Sequence, residues 1–579
     1  MNLRIAFSGR HERILVGGQV AILLLVCAFI TFSNFFDWDF FLSFNEVDRR
    51  SWLDDHAFPR WSYQMCSGVT RIADPQSLGL SPLFALVLVF GTFAGTKLAV
   101  VVSLVYGVYA TVSLLRLFAR RDDGSEIDAT TLVTLSLLFV CGNFFVWHLM
   151  VGHLTFITFF FGLGIVSQML KGFERGLTRC EFIVATLVTW QHYSGSFFHS
   201  VAYLILPFSI AFAIYVLYRW TRGKLMGGSS DRSLFRRLIS SSSFHLLGIL
   251  IASYRLVPVW IYQRSFPRFL ADDQETFGLA QFLGYHFVPT WQGEWLVPID
   301  QSGNWALHEY SVFSLLLLVL LGLIACWIRQ RSARNGTGNS SSENSSLGAF
   351  VAIFAVVCTS LALGDFASFA PFTLLNRYLT DESVRSVGRF NIGVTLSMGV
   401  ACVLMLKALR RQRLSSEIQL FLLGLLALNI AGFSWLLSAE KTRTFWALEA
   451  ERAGRLSTFE RISLYPPGAH LVKGNELNPE NSSQMYEPVR QGRGIHNCYN
   501  PIRRSRPRYL APHGLQRLID PGVGNPGRTC IANSYYEQNG LHIDETCPQN
   551  VCVNVGWISP DEPTQGLRWN SQREQYCRL

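Results

Sequence analysis

Residues 96–115 read TKLAVVVSLVYGVYATVSLL, and Lys97 is the one charged side chain in this stretch. An α-helix needs about 20 consecutive apolar residues to cross the hydrocarbon core of a bilayer. Half of the 579 residues of the chain are hydrophobic and 16% are charged, whereas soluble domains carry roughly 25% charged residues. The sequence therefore predicts a polytopic α-helical membrane protein.

Further apolar segments bring the expected number of membrane spans to eleven. The predicted spans are 14–36, 96–115, 130–147, 153–170, 181–193, 198–218, 238–260, 311–328, 348–364, 388–406 and 416–437. The fifth segment is short and contains polar residues. The first segment is not expected to be a cleaved signal peptide, because its apolar core exceeds the roughly 7–15 residues of such peptides and no small-residue cleavage site follows.

Basic residues mark every second connection between the predicted spans. They are Arg4, Arg10 and Arg13; Arg116, Arg120 and Arg121; Lys171, Arg175 and Arg179; Arg219, Arg222, Lys224, Arg232, Arg236 and Arg237; Arg329, Arg331 and Arg334; Lys407, Arg410, Arg411 and Arg413. Basic connections face the cytoplasm, so the N-terminus is expected inside and, after an odd number of spans, residues 439–579 outside. This topology signal accounts for most of the net charge of +10, and no nucleic-acid partner is expected.

The C-terminal part of the chain differs in composition from the rest. It loses the long apolar runs and gains Pro, Gly, Asn and Arg, with Tyr465-Pro466-Pro467-Gly468 and Asp520-Pro521-Gly522 as turn signals. The prediction is therefore a transmembrane domain over residues 1–438, with outer loops 37–95 and 261–310, followed by a strand-rich extracytoplasmic domain over residues 439–579.

Eleven of the twelve cysteines fall into two groups that match this division. Cysteines in or near the spans are expected to be small buried apolar side chains: Cys27, Cys141, Cys180, Cys326, Cys358 and Cys402. Cysteines in the tail are expected to form disulfides in an oxidising compartment: Cys498, Cys530, Cys547, Cys552 and Cys577. The odd number leaves one of them free or paired with Cys66 in the first outer loop. The spacing of Cys547 and Cys552 is too wide for a CxxC zinc site.

The first outer connection carries the acids that best fit a catalytic role. Asp37 and Asp39 follow the first span and open a predicted loop that runs through Trp61 to Asp74. A carboxylate with apolar surroundings can act as a general base. The alternative is that these acids only mark the membrane–water interface.

Histidines and an acid on the same side provide candidate substrate ligands. His153 follows His148 at the tight turn between spans three and four, where histidines also commonly cap helices. Glu309 lies just ahead of span eight and is a candidate partner for a cation or ligand for a sugar hydroxyl.

Three arginines are candidate ligands for a phosphate. Arg255 lies inside predicted span seven, and an arginine in a membrane segment is a functional suspect. Arg385 and Arg389 stand where span ten enters the bilayer. Planar guanidinium groups suit phosphate oxygens, because two of their donors lie in one plane. The alternatives for these arginines are interface anchoring and internal ion pairing.

A set of short motifs, taken together, resembles a known family. The motifs are an acid after the first span, Pro59-Arg60-Trp61, Gly68, Ala73-Asp74-Pro75-Gln76 ahead of Ser81-Pro82-Leu83, Gly152-His153-Leu154, Glu309-Tyr310 and Arg385-x-x-x-Arg389-Phe390. In this order they resemble the YfhO-like bacterial membrane proteins of the GT-C glycosyltransferase superfamily. The match covers roughly residues 14–437. It departs from the family at Ser81, where an aromatic residue is usual, and at Cys66-Ser67-Gly68, which replaces Phe-Gly-Gly.

The resemblance implies a GT-C-type transferase of the bacterial inner membrane that takes a sugar from a polyprenyl-phosphate carrier and passes it to an extracytoplasmic glycan or protein. The implied general base is Asp39, or else Asp37. The implied donor-phosphate ligands are Arg389, Arg385 and Arg255, and the implied substrate ligands are His153, Glu309, Asp74 and Trp61. No metal or other cofactor is expected, and membrane lipids are the expected surroundings.

Two other classes of protein remain open at this point. A transporter or flippase of lipid-linked or polar substrates would also place charged residues within spans, but it should show broken helices in two matching halves. A membrane-anchored binding or assembly protein would leave the spans inert and concentrate its specificity in the outer tail.

Overall fold

The computed structural model describes residues 10–32, 36–54, 56, 58–62, 69–119, 126–225, 231–265, 283, 286, 314–334, 345–365, 367–378, 384, 386–409, 411 and 413–432, together with short strands in the C-terminal part. Most of the described residues before position 433 are helical. The chain divides into two compact units. The first is Met1–Ser33, Lys97–Ala252 and Leu270–Thr442, and the second is Asn34–Thr96, Ser253–Phe269 and Arg443–Leu579.

The helices follow one another closely along the chain. They are α1 Arg10–Phe32, α2 Phe36–Leu53, α3 Phe84–Phe90, α4 Thr92–Ala119, α5 Ala129–Val140, α6 Asn143–Val151, α7 Ile157–Arg175, α8 Arg179–Ser194, α9 Phe198–Ser200, α10 Leu206–Leu225, α11 Asp231–Ile251, α12 Ser253–Ser265, α13 Leu315–Arg334, α14 Ser345–Ala362, α15 Pro371–Tyr378, α16 Asn391–Ala408 and α17 Ser416–Gly432. Short turns of 3-10 helix cover Leu154–Phe156 and Val387–Phe390, and a π-helical turn covers Val201–Ile205.

Helices coincide with the predicted spans, and most of these helices are apolar. In the described part of the chain, six helical segments are long and apolar enough to cross a membrane: Glu12–Thr31, Thr92–Ala119, Leu154–Arg175, Phe198–Arg222, Leu234–Ile251 and Val387–Ala408. Ala129–Val140 and Asn143–Met150, bent by 51°, form a seventh if they are one span. Shorter helices cover the other predicted spans: Arg179–Ser194, Leu315–Gln330, Leu347–Ala362 and Ser416–Gly432. These are the helices of an integral membrane protein, and the count of eleven spans stays a prediction.

The residues after the first span form a helix, where the sequence predicts the opening of a loop. Helix α2 carries Asp37 and Asp39 in its first turns and extends to Leu53. Residues 41–48 of this helix are all buried, and they include the polar side chains of Ser43, Asn45, Glu46 and Asp48. These polar residues interrupt the apolar run, so the helix is missed by a search for long apolar segments.

Predicted span seven is also interrupted. Helix α11 ends at Ile251, and α12 begins at Ser253, so Arg255 belongs to a separate helix. Hydrogen bonds hold the first turn of α12 to the segment that leads into α3. The hydroxyl of Tyr254 donates to the carbonyl oxygen of Leu80 over 2.7 Å, and Arg255 binds two further carbonyls. These tertiary contacts are invisible to a local hydropathy average.

The first unit is a helical body with an aromatic core. Helix α11 packs against α7 and α8, and α16 packs against α13 and α14. Buried phenylalanines fill the space around α6 and α7, with the rings of Phe145 and Phe160 4.8 Å apart and those of Phe144 and Phe156 5.5 Å apart. This core fixes the turn between α6 and α7, on which the candidate site depends.

The second unit contains the segment between α2 and α3. Strands β1 Trp61–Ser62 and β2 Val69–Thr70 pair antiparallel. The segment after β2 packs Ile72, Ala73 and Leu80 against Tyr262 of α12, with Trp52 of α2 beside them. Trp52 also donates its indole N–H to the carbonyl oxygen of Gly79 over 3.1 Å.

Short strands make up the described residues of the C-terminal part. They are β3 Arg461–Leu464, β4 Ala469–Val472, β5 Arg493–Ile495, β6 Gln516–Ile519, β7 Cys530–Glu537, β8 Gly540–Asp544, β9 Cys552–Val553, β10 Arg568–Asn570 and β11 Gln575–Cys577. They form three three-stranded sheets with the orders β3-β4-β5, β6-β7-β8 and β10-β11-β9. The predicted boundary at residue 439 and the placement of this part outside the membrane stay predictions.

Candidate functional site

A tight turn between α6 and the following 3-10 helix brings two histidines together. Gly152 caps the C-terminal end of helix α6, and its φ of 102° is a left-handed conformation that other residues adopt only at a cost. The chain then reverses, and the backbone N–H of His153 donates to the carbonyl oxygen of His148 over 2.8 Å. As a result the Nδ1 atoms of the two imidazoles lie 2.8 Å apart, within hydrogen-bonding distance.

The ring of Phe156 is the centre around which these histidines lie. His148 stacks on it with a centroid distance of 3.5 Å and an interplanar angle of 10°. The centroids of His153 and His199 lie 6.0 Å and 5.4 Å from it. Three imidazoles therefore surround one buried aromatic ring.

A buried guanidinium lies against the same ring. Arg389 comes from the 3-10 turn Val387–Phe390 at the start of α16, and it is only 7% exposed. Its Cζ atom is 5.3 Å from the ring centroid of Phe156 and 5.7 Å from that of Tyr203. Contacts of this kind are cation–π interactions, in which the ring faces attract positive charge.

Tyr203 is held in place by an unusual backbone segment. It lies in the π-helical turn Val201–Ile205, and its hydroxyl accepts a hydrogen bond from the backbone N–H of Ser386 over 3.3 Å. That bond ties the tyrosine to the segment that leads into Arg389. The group of His148, His153, Phe156, His199, Tyr203 and Arg389 is called the Phe156 cluster below.

A second buried polar group lies in the other unit. Arg71 donates from Nε and Nη2 to the two carboxylate oxygens of Asp48, over 2.7 and 2.8 Å, and from Nη1 to Asp74 over 2.7 Å. The hydroxyl of Ser77 also donates to Asp48 over 2.7 Å. Burial alone would lower the pKa of Arg71, but the two carboxylates raise it above its ordinary value. Asp48, Arg71, Asp74 and Ser77 form the Arg71 cluster, in which the guanidinium uses all three of its nitrogens.

Arg255 supports the Arg71 cluster through the backbone. Its Nη2 donates to the carbonyl oxygens of Asp74 and Ser77 over 2.6 and 2.8 Å. Its Nε and Nη1 are buried and have no hydrogen-bond partner among the residues that the structure describes. Arg255 is therefore a clamp on the Asp74 segment that retains donors for a further group.

The structure brings some of the predicted site residues together. His153 and Arg389 meet at Phe156, and Arg255 meets the backbone of Asp74. Asp74 has its carboxylate engaged by Arg71 and by the backbone N–H of Gln76. Asp37 and Asp39 lie in α2 and Trp61 lies in β1, but the side chains of these three, like the whole of Arg385 and Glu309, lie outside the described residues.

Sequence reasoning assigns no site role to several residues of both clusters. Phe156, Tyr203 and Arg71 are absent from the predicted ligands. One signal for His148 is present in the sequence, because an ionisable residue within an apolar helix is a functional suspect. The aromatic residues give no such signal among 44 phenylalanines and 19 tyrosines.

Metal-binding side chains are not grouped in the described part of the chain. Among the side chains that the structure describes, no group of three His, Cys, Asp or Glu residues is arranged to hold a metal ion. The expectation that no cofactor is needed stays a prediction.

Comparison with known proteins adds a weak structural likeness. No protein-family model matches the chain, and no curated protein does. The chain is similar to a solved structure, the crystal structure of ArnT from Cupriavidus metallidurans bound to undecaprenyl phosphate, with 13% identity, a TM-score of 0.32, and coverage of 69% of this chain and 78% of that chain. A likeness of this size is too weak to assign a function, and the YfhO-like resemblance stays a prediction.

Proposed function

We propose that the protein is a GT-C-type glycosyltransferase that moves a sugar from a polyprenyl-phosphate donor to an extracytoplasmic glycan or protein acceptor. The observation that carries the proposal is the Phe156 cluster, in which a buried guanidinium and three imidazoles surround one aromatic ring. Ionisable groups inside a helical membrane protein are costly and mark functional sites. This set offers several N–H donors and one permanent positive charge, which suits an anionic ligand.

Arg389 is the proposed ligand of the donor phosphate. The leaving group in such a transfer is a lipid phosphate, which is already stable as an anion and needs a cation more than an acid. A preorganised guanidinium in a site with little water stabilises the charge that develops on the departing oxygen. Phe156 and Tyr203 hold that guanidinium in one position before the substrate arrives.

Asp39 is the proposed general base, with Asp37 as the second choice. Its carboxylate takes the proton from an acceptor hydroxyl as that oxygen attacks the anomeric carbon. The bond from the anomeric carbon to the donor phosphate oxygen breaks, and its electron pair leaves with the lipid phosphate. The proposal rests on the chemistry of the first-loop acids and on the family resemblance.

The remaining predicted residues have supporting roles in this proposal. Arg385 and Arg255 are additional cations for the donor, and Arg255 has two buried nitrogens without partners in the described part of the chain. His153, Glu309, Asp74 and Trp61 are the proposed substrate ligands. Residues 439–579 form the proposed extracytoplasmic, acceptor-binding domain of an inner-membrane protein whose N-terminus is cytoplasmic. Labelling of cysteines introduced at the N-terminus and in the tail is expected to report opposite sides of the membrane.

A flippase of lipid-linked substrates is the second candidate. The bent pair Ala129–Val140 and Asn143–Met150 is the observation that favours it, because broken helices build the substrate sites of many transporters. A flippase would move a lipid-linked sugar without breaking the bond to phosphate. A transfer assay therefore separates the two functions.

Replacement of Asp39 tests the proposed reaction. Asp39→Asn is expected to reduce sugar transfer from a radiolabelled polyprenyl-phosphate sugar by about 10²–10⁴-fold, the usual contribution of a general base. Asp37→Asn should have a smaller effect. Asp54→Asn is the matched control, because Asp54 is an exposed acid directly after the same helix. Full transfer by both the Asp37 and Asp39 variants at normal expression would show that the base lies elsewhere.

A further inference from the structure

His148 has one ring nitrogen engaged and one that is not. The residue is 0% exposed, its Nδ1 faces Nδ1 of His153 at 2.8 Å, and its ring is stacked on Phe156. Its Nε2 is buried and has no hydrogen-bond partner among the described residues. Buried polar side-chain atoms in folded proteins almost always have a partner, so this nitrogen calls for an explanation.

No choice of tautomers for His148 and His153 gives the Nε2 atom of His148 a partner among the residues that the structure describes. A neutral imidazole carries one N–H, and the contact between the two Nδ1 atoms needs one donor and one lone pair. If His153 donates, the hydrogen of His148 is on Nε2, which becomes a buried donor without an acceptor. If His148 donates, its Nε2 is a buried lone pair without a donor. In both tautomers Nε2 lacks a partner within the described part of the protein.

The surroundings of this nitrogen select the kind of ligand. His148 and Arg389 both contact the ring of Phe156, at 3.5 Å between ring centroids and at 5.3 Å from Cζ to the centroid. A group that reaches Nε2 therefore lies in the field of a guanidinium. An oxyanion gains from that field, whereas a hydroxyl group gains little.

We propose that His148 binds the donor directly, by donating its Nε2–H to a phosphate oxygen, while His153 donates its Nδ1–H to Nδ1 of His148. The inference rests on the proposed function, since it assigns a second ligand to the same lipid phosphate. His153 acts through His148 in this arrangement, because its hydrogen bond keeps the proton of His148 on Nε2. The order from the helix end to the ligand is His153, His148, phosphate.

Two amide substitutions separate the two ring nitrogens. Glutamine places its side-chain nitrogen near the position of Nε2, and asparagine places its own near Nδ1. His148→Gln is expected to keep binding of a short-chain prenyl phosphate in nanodiscs within about threefold of wild type. His148→Asn is expected to weaken it by roughly 10- to 150-fold, the range for one lost hydrogen bond to a charged group.

His245 offers the matched control. Its Nε2 is already bonded to the hydroxyl of Tyr193 over 2.9 Å, so His245→Asn should leave prenyl phosphate binding unchanged. Inorganic phosphate is the second probe. If the site recognises the phosphate group and not the lipid chain, both probes should show the same dependence on residue 148, with lower affinity for the inorganic ion.

An NMR measurement on the wild-type protein tests the inference even if the variants misfold. In wild-type protein labelled with ¹⁵N-histidine, prenyl phosphate should move the Nε2–H resonance of one buried histidine downfield, and the same signal should be absent in His148→Asn. Equal binding by wild type and His148→Asn would overturn the inference, as would an unchanged histidine spectrum at saturating ligand.

The outcomes distinguish this inference from the proposed function. If prenyl phosphate binding depends on His148 but the protein transfers no sugar, the binding site is supported and the transferase function is contradicted. If the His148→Asn variant transfers sugar and binds the donor normally, the transferase function is supported and the role of His148 is contradicted. A wild-type protein that binds no prenyl phosphate would overturn the inference and the donor class together.

Discussion

The Arg71 cluster and the Phe156 cluster both bury charged or ionisable side chains, but they differ in how fully those side chains are used. In the Arg71 cluster the guanidinium makes three hydrogen bonds to two carboxylates, and a serine satisfies Asp48 further. In the Phe156 cluster the guanidinium lies on aromatic rings, and His148 leaves one nitrogen without a partner among the described residues.

This difference in pairing suggests that the Arg71 cluster stabilises the fold and that the Phe156 cluster binds a ligand. A buried charge is expensive unless it is paired, so a fully paired cluster is a stable part of the fold and has few atoms left for a ligand. Aromatic faces hold the guanidinium of Arg389 in position, and the buried Nε2 of His148 beside it has no hydrogen-bond partner among the described residues. On this basis we expect mutations in the Arg71 cluster to change stability and mutations in the Phe156 cluster to change ligand affinity.

Asp48→Asn should have the largest effect on stability. It removes the bidentate partner of a fully buried arginine, and breaking such a pair costs about 3–5 kcal/mol. The measurement is thermal unfolding of the purified protein in detergent. Arg413→Gln is the control, because its contact with Glu12 is exposed and should contribute about 0–1 kcal/mol. Equal melting temperatures for Asp48→Asn and wild type would contradict the structural role of the Arg71 cluster.

Gly79→Ala should disturb the Arg71 cluster by a smaller amount. A Cβ atom at this position would lie 2.2 Å from Oδ2 of Asp48, so the carboxylate would have to move away from Arg71. Overpacking of this kind costs about 1–3 kcal/mol. Gly322→Ala is the control, because a Cβ there meets no described atom within 4 Å, and it should be neutral or slightly stabilising. A Gly79→Ala protein as stable as the control would count against the close approach.

Gly152→Ala tests the Phe156 cluster, through both stability and ligand affinity. The positive φ of Gly152 would cost an alanine about 1–2 kcal/mol, and relief of that strain would shift His153 away from His148. We expect a modest loss of stability together with a loss of prenyl phosphate affinity of several-fold. Gly322→Ala again serves as the control. Unchanged affinity in a destabilised protein would show that the turn has no role in binding.

In the C-terminal part, a disulfide is expected to play the stabilising role that ion pairs play in the Arg71 cluster. Strands β9 and β11 are antiparallel, and their register places Cys552 opposite Cys577. Facing residues in antiparallel strands have Cα atoms about 4.5–5.5 Å apart, within the range that a disulfide spans. Peptide mapping without reduction is expected to recover this pair linked, with little effect on the melting of the helical part. Recovery of Cys552 and Cys577 as free thiols would contradict this prediction.

The sequence predicts the helices of the membrane part more completely than it predicts the candidate site. Long apolar runs have a local signature, and each predicted span coincides with a helix, with the bent pair α5 and α6 or, for span seven, with α11 and the start of α12. Helix α2 is missed because polar residues such as Asn45, Glu46 and Asp48 are buried in it beside the apolar ones, and the first turn of α12 is hydrogen-bonded to residues about 180 positions away. Distant partners of this kind leave no periodic pattern in the sequence.

The candidate site is predicted only in part, because it too depends on contacts between residues that are distant in the sequence. Arg389 and His153 stand out as ionisable residues next to apolar segments, but their meeting at Phe156 depends on side-chain packing between two segments far apart in the sequence. His148 is visible in the sequence, yet its importance comes from a nitrogen that finds no partner among the described residues after folding. Such an unpaired nitrogen is a property of the folded arrangement alone.

Donor kinetics of an Arg389 variant test the central claim most directly. Sugar transfer would be measured against the concentration of a polyprenyl-phosphate sugar for wild type, Arg389→Gln and Arg377→Gln. Arg377 is the matched control, because its Cζ lies 5.9 Å from the ring centroid of Tyr378 at an exposed position. We expect kcat/KM for the donor to fall by about 10²-fold in Arg389→Gln, with an unchanged KM for the acceptor, and to stay at the wild-type value in Arg377→Gln. Donor kinetics of Arg389→Gln equal to those of wild type would contradict the assignment of the Phe156 cluster to the lipid phosphate.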